Sequence, residues 1–300
     1  MSYKSVLINL LSCFLSIFLF NCYGNNTEEG LKVISKTPNY NVVELSDSLI
    51  LKLKDSTYRV PWKNSNVDVI CKPSLTDTVK GVILLLPGWN FNTDEWCTKM
   101  DFCQRARNLG YHLVMPQMYK SMYAEHYYSE TRTDFMKFPT RKWITDTMLP
   151  YFQKQFGMFM QGKNNYICGI STGGRGSVLI ALDLPEVFKK GVALSGDFNP
   201  LKMKNDNLLN KYYGSFAAFP KRWKNNDNAF QRISELKMPF LFLHGKDDRV
   251  VPCSQSEDYY NESKSKNMTN IELKIVSGAG HNYKFWNSQT DFVLSFFERK

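Results

Sequence analysis

Tyr166-Ile167-Cys168-Gly169-Ile170-Ser171-Thr172-Gly173-Gly174 is the stretch on which the reading of this 300-residue chain turns. Its first five residues have the continuous apolar character of a strand buried on both faces. The small residues after Ser171 open a helical pattern that runs from Gly173 to Leu184. A serine at so sharp a strand-to-helix turn stands above the sheet edge, and glycines must flank it because side chains there would strike the neighbouring strand and helix. Gly169 and Gly173 occupy those positions in a G-x-S-x-G string. The plainer alternative is a glycine-rich turn in which Ser171 only caps the helix, and it predicts no particular partners downstream.

Strand and helix patterns alternate on both sides of this turn. Upstream lie the apolar run Gly81 to Leu86, a helix pattern over Asp94 to Leu109, a strand over Tyr111 to Met115 and a helix over Thr140 to Phe156. Downstream come strands at Gly191 to Leu194, Phe240 to Leu243 and Ile271 to Val276, with helices at Glu257 to Lys264 and Phe285 to Phe297. Such alternation specifies an α/β fold with a mainly parallel central sheet covered by helices on both faces. Before it, Leu49 to Leu53, Tyr58 to Val60 and Val67 to Ile70 read as short strands of an antiparallel N-terminal edge. Two stretches fit neither pattern, 117–139, rich in Tyr and Met, and 198–237, rich in Asn, Lys and aromatics. They read as insertions over a site at the carboxyl ends of the strands, where doubly wound sheets bind ligands; ordered surface loops are the alternative.

The strand Phe240 to Leu243 runs into His244-Gly245-Lys246-Asp247-Asp248-Arg249-Val250-Val251-Pro252, and the strand Ile271 to Val276 into Ser277-Gly278-Ala279-Gly280-His281. Only four histidines exist, and His112, His126 and His244 fall in a strand, a loop and the turn before the acidic pair. His281 is therefore the candidate base. A serine hydroxyl becomes a useful nucleophile only when a neutral imidazole takes its proton, and a carboxylate must fix the imidazole's tautomer and stabilise its charged form.

These three strings together resemble the α/β-hydrolase superfamily, in its esterase, dienelactone-hydrolase and prolyl-oligopeptidase-like branches, over about Gly81 to Phe297. The order Ser171, Asp248, His281 matches the Ser…Asp…His order of that fold. By the spacing of its H-G-x-x-D-x-x-V-P turn, Asp248 is the triad acid and Asp247 the fallback; an Asx turn or helix cap would also account for an Asp pair there. The resemblance implies an oxyanion hole of two backbone amides, Thr172 after the nucleophile and Trp89 in the turn Pro87-Gly88-Trp89-Asn90. Loss of one such donor costs about 3 kcal/mol of transition-state stabilisation. Trp89 could alternatively serve as a substrate platform or core residue.

The implied chemistry is hydrolysis of an ester, thioester or amide through an acyl-enzyme, without metal or organic cofactor. A carboxylic-ester hydrolase leads. A prolyl-oligopeptidase-like peptidase follows, because the acid turn suits it equally while a propeller has no counterpart in residues 31–79. A non-catalytic envelope binding protein is the third reading, and it has no physical need for all three residues at strand ends.

Lys4 precedes an apolar run from Val6 to Phe20, and Asn21 and Gly24-Asn25-Asn26 follow it, the pattern of an export leader over 1–21. Leu19-Phe20-Asn21-Cys22 resembles a bacterial lipobox with Asn21 where a small residue is usual, so lipid attachment at Cys22 and plain secretion both stay open. Residues 22–80 then carry the N-terminal strands and 81–300 the catalytic domain. The net charge of +10 is scattered without a dense basic block, and no nucleic-acid motif accompanies it, which excludes nucleic-acid binding as the leading function. Cysteine spacing forms no metal pattern. Export would permit disulfides, and Cys97 and Cys103 are close in sequence, but if held in one regular helix they stand about 9 Å apart along its axis, too far to bridge, so the connectivity stays open.

Overall fold

The computed structural model describes residues 51–299 and, before them, the backbone of two short strands. The expected leader and Cys22 lie outside the described residues. Strands β1 (Val33–Thr37) and β2 (Tyr40–Val43) form an antiparallel pair. The main sheet begins with the hairpin β3 (Ser56–Trp62) and β4 (Ser65–Lys72). Then follow β5 (Gly81–Leu86), α1 (Glu95–Thr98), α2 (Phe102–Asn108), β6 (Tyr111–Pro116), α3 (Thr140–Trp143) and α4 (Leu149–Phe156). The second half comprises β7 (Asn165–Ile170), α5 (Thr172–Asp183), β8 (Lys190–Leu194), α6 (Asn207–Tyr213), α7 (Pro220–Trp223) and β9 (Phe240–Gly245). It closes with α8 (Ser254–Ser265), β10 (Ile271–Val276), α9 (Tyr283–Ser288) and α10 (Thr290–Glu298).

Eight strands pair in the order β10-β9-β8-β7-β5-β6-β4-β3. All neighbours from β6 to β10 are parallel, whereas β4 joins β6, and β3 joins β4, in antiparallel register. The expected mainly parallel sheet with an antiparallel edge is what the chain forms. Alternate side chains of the central strands feed two separate cores. Val82, Leu84 and Leu86 of β5 and Phe240 and Phe242 of β9 pack on one face with α3, α4 and α5. Ile83, Leu85, Leu241 and Leu243 pack on the other with α2, α9 and α10. This double burial explains why those strands carry no polar alternation, and each fully buried Leu or Ile contributes about 2 kcal/mol.

Several expectations need correction. The stretch Leu49 to Leu53 was expected as a strand, but residues 51–53 form none; Leu53 alone is buried there, and the Leu51 amide bonds to the Gln155 carbonyl of α4 instead of a ladder partner. The helix expected over 94–109 is two helices, with the chain turning at Lys99 to Asp101. That turn brings the Cys97 and Cys103 Cα atoms to 5.0 Å and joins them in a disulfide, so the single-helix separation does not apply. The final helix likewise breaks at Gln289. Between α3 and α4 the helix widens to a π-turn over Ile144–Met148. Pro150 is the second residue of α4, and having no N–H it cannot donate to the carbonyl four residues back.

Candidate active site

Ser171 sits at the end of β7 with φ 57° and ψ −122°, a backbone geometry that side chains rarely adopt. Glycine is obligatory around it. A Cβ on Gly169 would lie 1.9 Å from the Gly173 carbonyl oxygen, and one on Gly173 would lie 2.3 Å from the carbonyl oxygen of Leu86. The turn is pinned by the Ser171 amide donating to the Leu194 carbonyl of β8 at 2.8 Å.

Asp248 and His281 reach Ser171 from the ends of β9 and β10. His281 Nδ1 lies 2.6 Å from Asp248 Oδ2, and His281 Nε2 lies 2.9 Å from Ser171 Oγ. Burial pushes the Asp248 carboxyl up, but hydrogen bonds from His244 and His281, the His281 charge and the Val251 amide outweigh it. The net effect holds the group well below the usual carboxylate range. It is therefore an ionised acceptor, so the proton on the His281 ring belongs on Nδ1. Nε2 is left with the lone pair that accepts from the Ser171 hydroxyl. Asp247, by contrast, is exposed on the same turn and does not meet His281.

The Asp248 carboxylate is held on both oxygens. Oδ1 accepts from the Val250 and Val251 amides at 2.8 Å each, and Oδ2 faces His244 Nε2 at 3.3 Å in addition to His281. The indole ring of Trp286 stands edge-on to the His281 ring at 5.1 Å and donates its N–H to Ser195 Oγ at 3.1 Å.

Thr172 is the first residue of α5, so its amide has no intrahelical acceptor. The turn after β5 lies against the nucleophile, since a Cβ on Gly88 would come 3.2 Å from Ser171 Cβ. In that turn the Asn90 amide is committed to the Tyr119 carbonyl at 2.8 Å. Trp89 itself packs its ring on Phe135.

A cavity of about 410 Å³ opens onto Ser171 and His281. Its walls are mostly apolar, with Trp89 and Phe91 from the β5 turn, Met122 from the first insertion, and Met203, Leu208 and Leu209 from the second. Trp89 Nε1 and Thr172 Oγ1, both on lining residues, are buried without a hydrogen-bond partner among the described residues. Asp197 also lines the cavity. Burial pushes its carboxyl up against the pull of Arg175, whose guanidinium is 3.3 Å away. Among the described residues no group of three or more His, Cys, Asp or Glu side chains is placed to hold a metal ion.

Nothing in the sequence patterns above marks Asp197 or Arg175, and His244 stands in them only as a turn residue. For His244 a local indication existed, the four-residue spacing to Asp248. For the other two there was none, because their meeting depends on β8 lying beside β7.

The sequence profile of the prolyl oligopeptidase family matches residues 145–300. A comparison with curated proteins gives no match. Among solved structures, this chain is similar to fluorophosphonate-binding serine hydrolase F of Staphylococcus aureus, with 17% identity, 82% of this chain and 97% of that one covered, and a TM-score of 0.65. An S-formylglutathione hydrolase from Agrobacterium tumefaciens shares 18% identity over 89% of this chain and 98% of its own, at a TM-score of 0.62. The acylaminoacyl peptidase of Pyrococcus horikoshii shares 16% identity, with 84% of this chain but 42% of the peptidase covered, at a TM-score of 0.63. At these identities the likeness is one of fold.

Proposed function

The chain belongs to the prolyl oligopeptidase family of serine hydrolases, and on that premise we propose that it is an exported carboxylic-ester hydrolase working through an acyl-enzyme on Ser171. The observation that carries the reading is the continuous hydrogen-bonded line Ser171 Oγ, His281 Nε2, His281 Nδ1, Asp248 Oδ2 at the mouth of an apolar cavity.

In the proposed reaction His281 Nε2 takes the Ser171 proton as Oγ attacks the ester carbonyl carbon. The negative charge that develops on the carbonyl oxygen is met by the amides of Thr172 and Trp89. Asp248 stays ionised and stabilises the imidazolium. His281 then hands its proton to the departing alkoxide, leaving an acyl-serine that water cleaves by the same sequence in reverse. A cavity with apolar walls suits an uncharged acyl or alkyl group. The unpartnered Trp89 Nε1 and Thr172 Oγ1 are polar groups that such a substrate could engage.

Export is supported by the leader pattern over 1–21 and by the Cys97–Cys103 disulfide, a bond that persists in oxidising compartments. Cys22 is the position at which a lipid anchor would attach. Intact-mass analysis of the membrane-extracted protein checks this, and an unmodified N-terminus at another residue removes the anchor.

The family match favours peptidase activity as the second reading. A panel of p-nitrophenyl esters of graded chain length, run beside aminoacyl-proline anilides, separates the two. Ester turnover is expected to dominate, and equal or faster cleavage of the anilides transfers the assignment to the peptidase. Ser171→Ala should lower ester turnover by on the order of 10⁵ or more and abolish labelling by a fluorophosphonate. Labelling that persists in this variant rejects Ser171 as the nucleophile.

A further inference from the structure

Among the described residues, His244 is the one ring besides His281 that approaches the carboxylate of Asp248. It is completely buried at the end of β9, four residues before the acid. Its Nε2 lies 3.0 Å from the Val251 carbonyl oxygen and 3.3 Å from Asp248 Oδ2. Both neighbours can only accept, so Nε2 must carry a proton. Nδ1 lies 2.8 Å from Ser256 Oγ of α8, a hydroxyl that serves either tautomeric need and fixes the ring plane. The two histidines therefore share one carboxylate oxygen, with the Val250 and Val251 amides on the other.

We infer that His244 is a positioning residue for the acid: its Nε2–H, hydrogen-bonded to the Val251 carbonyl, also stands 3.3 Å from Asp248 Oδ2, so that the turn holds the carboxylate toward His281 and part of its negative charge is offset. This rests on the proposed Ser171–His281–Asp248 line. The consequence for chemistry has a definite sign. A polar N–H this close to Oδ2 weakens the pull of Asp248 on the His281 proton, and its removal stabilises the imidazolium. Without that N–H, the imidazolium of His281 meets the undiminished charge of Asp248, and the carboxylate is freer to rotate.

Other charged groups around the cluster are Asp197 with Arg175 behind it, on the β8 and α5 side, and Asp247, Arg249 and the Lys246–Glu257 pair on the exposed turn and α8. Among the described residues none of them hydrogen-bonds to His244 or to Asp248 side-chain oxygens, so all stay constant in the comparison that follows.

The test compares His244→Met, which keeps apolar volume and removes the donor, with His244→Gln, whose amide nitrogen reaches toward the place of Nε2. For an ester substrate, His244→Met should lower kcat about tenfold with KM nearly unchanged, because a carboxylate free to rotate no longer holds the imidazole in line with Ser171, a loss that outweighs the gain in imidazolium stability. The acid limb of its kcat/KM profile should move up by about half a pH unit. His244→Gln should recover most of kcat and return the limb toward its original place. A limb that stays put or moves down in His244→Met, or a glutamine variant no better than the methionine one, overturns the inference. If His244→Met does not fold, Ser256→Ala takes its place, with a smaller upward displacement expected; an unchanged profile there overturns it equally. Failure of the underlying reading is separate, since it shows as turnover surviving in Ser171→Ala.

Discussion

The central sheet and the two insertions over its carboxyl edge are held by different forces. In the sheet, β7 and β9 are buried along their whole length and β5 beyond its first residue, and their alternate residues fill two apolar cores. The insertions have a small apolar cluster of their own around Tyr212, Tyr213 and Trp223, but a buried polar network ties them down. Arg141, fully buried, is ion-paired with Glu125, Asp183 and Asp227 at 3.4, 3.0 and 3.3 Å. Asp227 accepts from the Tyr213 hydroxyl at 3.2 Å, and that hydroxyl accepts from Arg175 of the nucleophile helix at 2.8 Å. One polar line thus connects both insertions to α5. The reacting groups thus stand on the rigid, apolar part, whereas Met122, Met203, Leu208 and Leu209 of the substrate cavity wall belong to the part secured by directional contacts. Changes in the first should strike turnover, and changes in the second stability or selectivity.

The largest expected effect is on the sheet side. Asp248→Asn should lower ester turnover about 10⁴-fold by leaving His281 in the wrong tautomer, while Asp247→Asn should change it only a few-fold. The reverse ranking in steady-state kinetics would move the acid to the exposed neighbour and break the contrast at its root. Next, Arg141→Met should cost about 3–5 kcal/mol, because three carboxylates lose their buried partner. Urea denaturation measures it, and a loss below 1 kcal/mol would show that the insertions do not depend on this network. Removing the disulfide by Cys97→Ser with Cys103→Ser should cost about 2 kcal/mol or less, given the short loop it closes. The smallest effect sharpens the comparison. Leu208→Ala at the half-buried wall should raise KM about fivefold for the longest apolar ester that fits and leave kcat and the unfolding midpoint nearly unchanged. A kcat loss larger than the KM change would show that the second insertion also positions the reacting groups.

How far the sequence could be read follows the same division. Apolar runs such as Gly81 to Leu86 and Phe240 to Leu243 announce fully buried strands because their environment is the same on both faces. The Ser171 turn was legible because its strain requires glycine at Gly169 and Gly173, a demand met within five residues. The pattern over 94–109 misleads for the opposite reason. Its apolar periodicity continues through Lys99 to Asp101, and the turn there is revealed only by two cysteines meeting. The insertions, whose contacts join residues such as Glu125 and Asp227 a hundred positions apart, gave composition but no shape.

By itself the sequence determined the strand–helix alternation, the strained serine turn and the identities of the polar residues that end β7, β9 and β10, since each is imposed by contacts within a few residues. Only the tertiary structure decided that Asp248 rather than Asp247 turns inward to His281, that His244 shares its carboxylate, and that Met122, Met203 and Leu208 wall one cavity. Those outcomes depend on which strands lie side by side and on which side of a turn is buried, and neither is written in the local pattern of side chains.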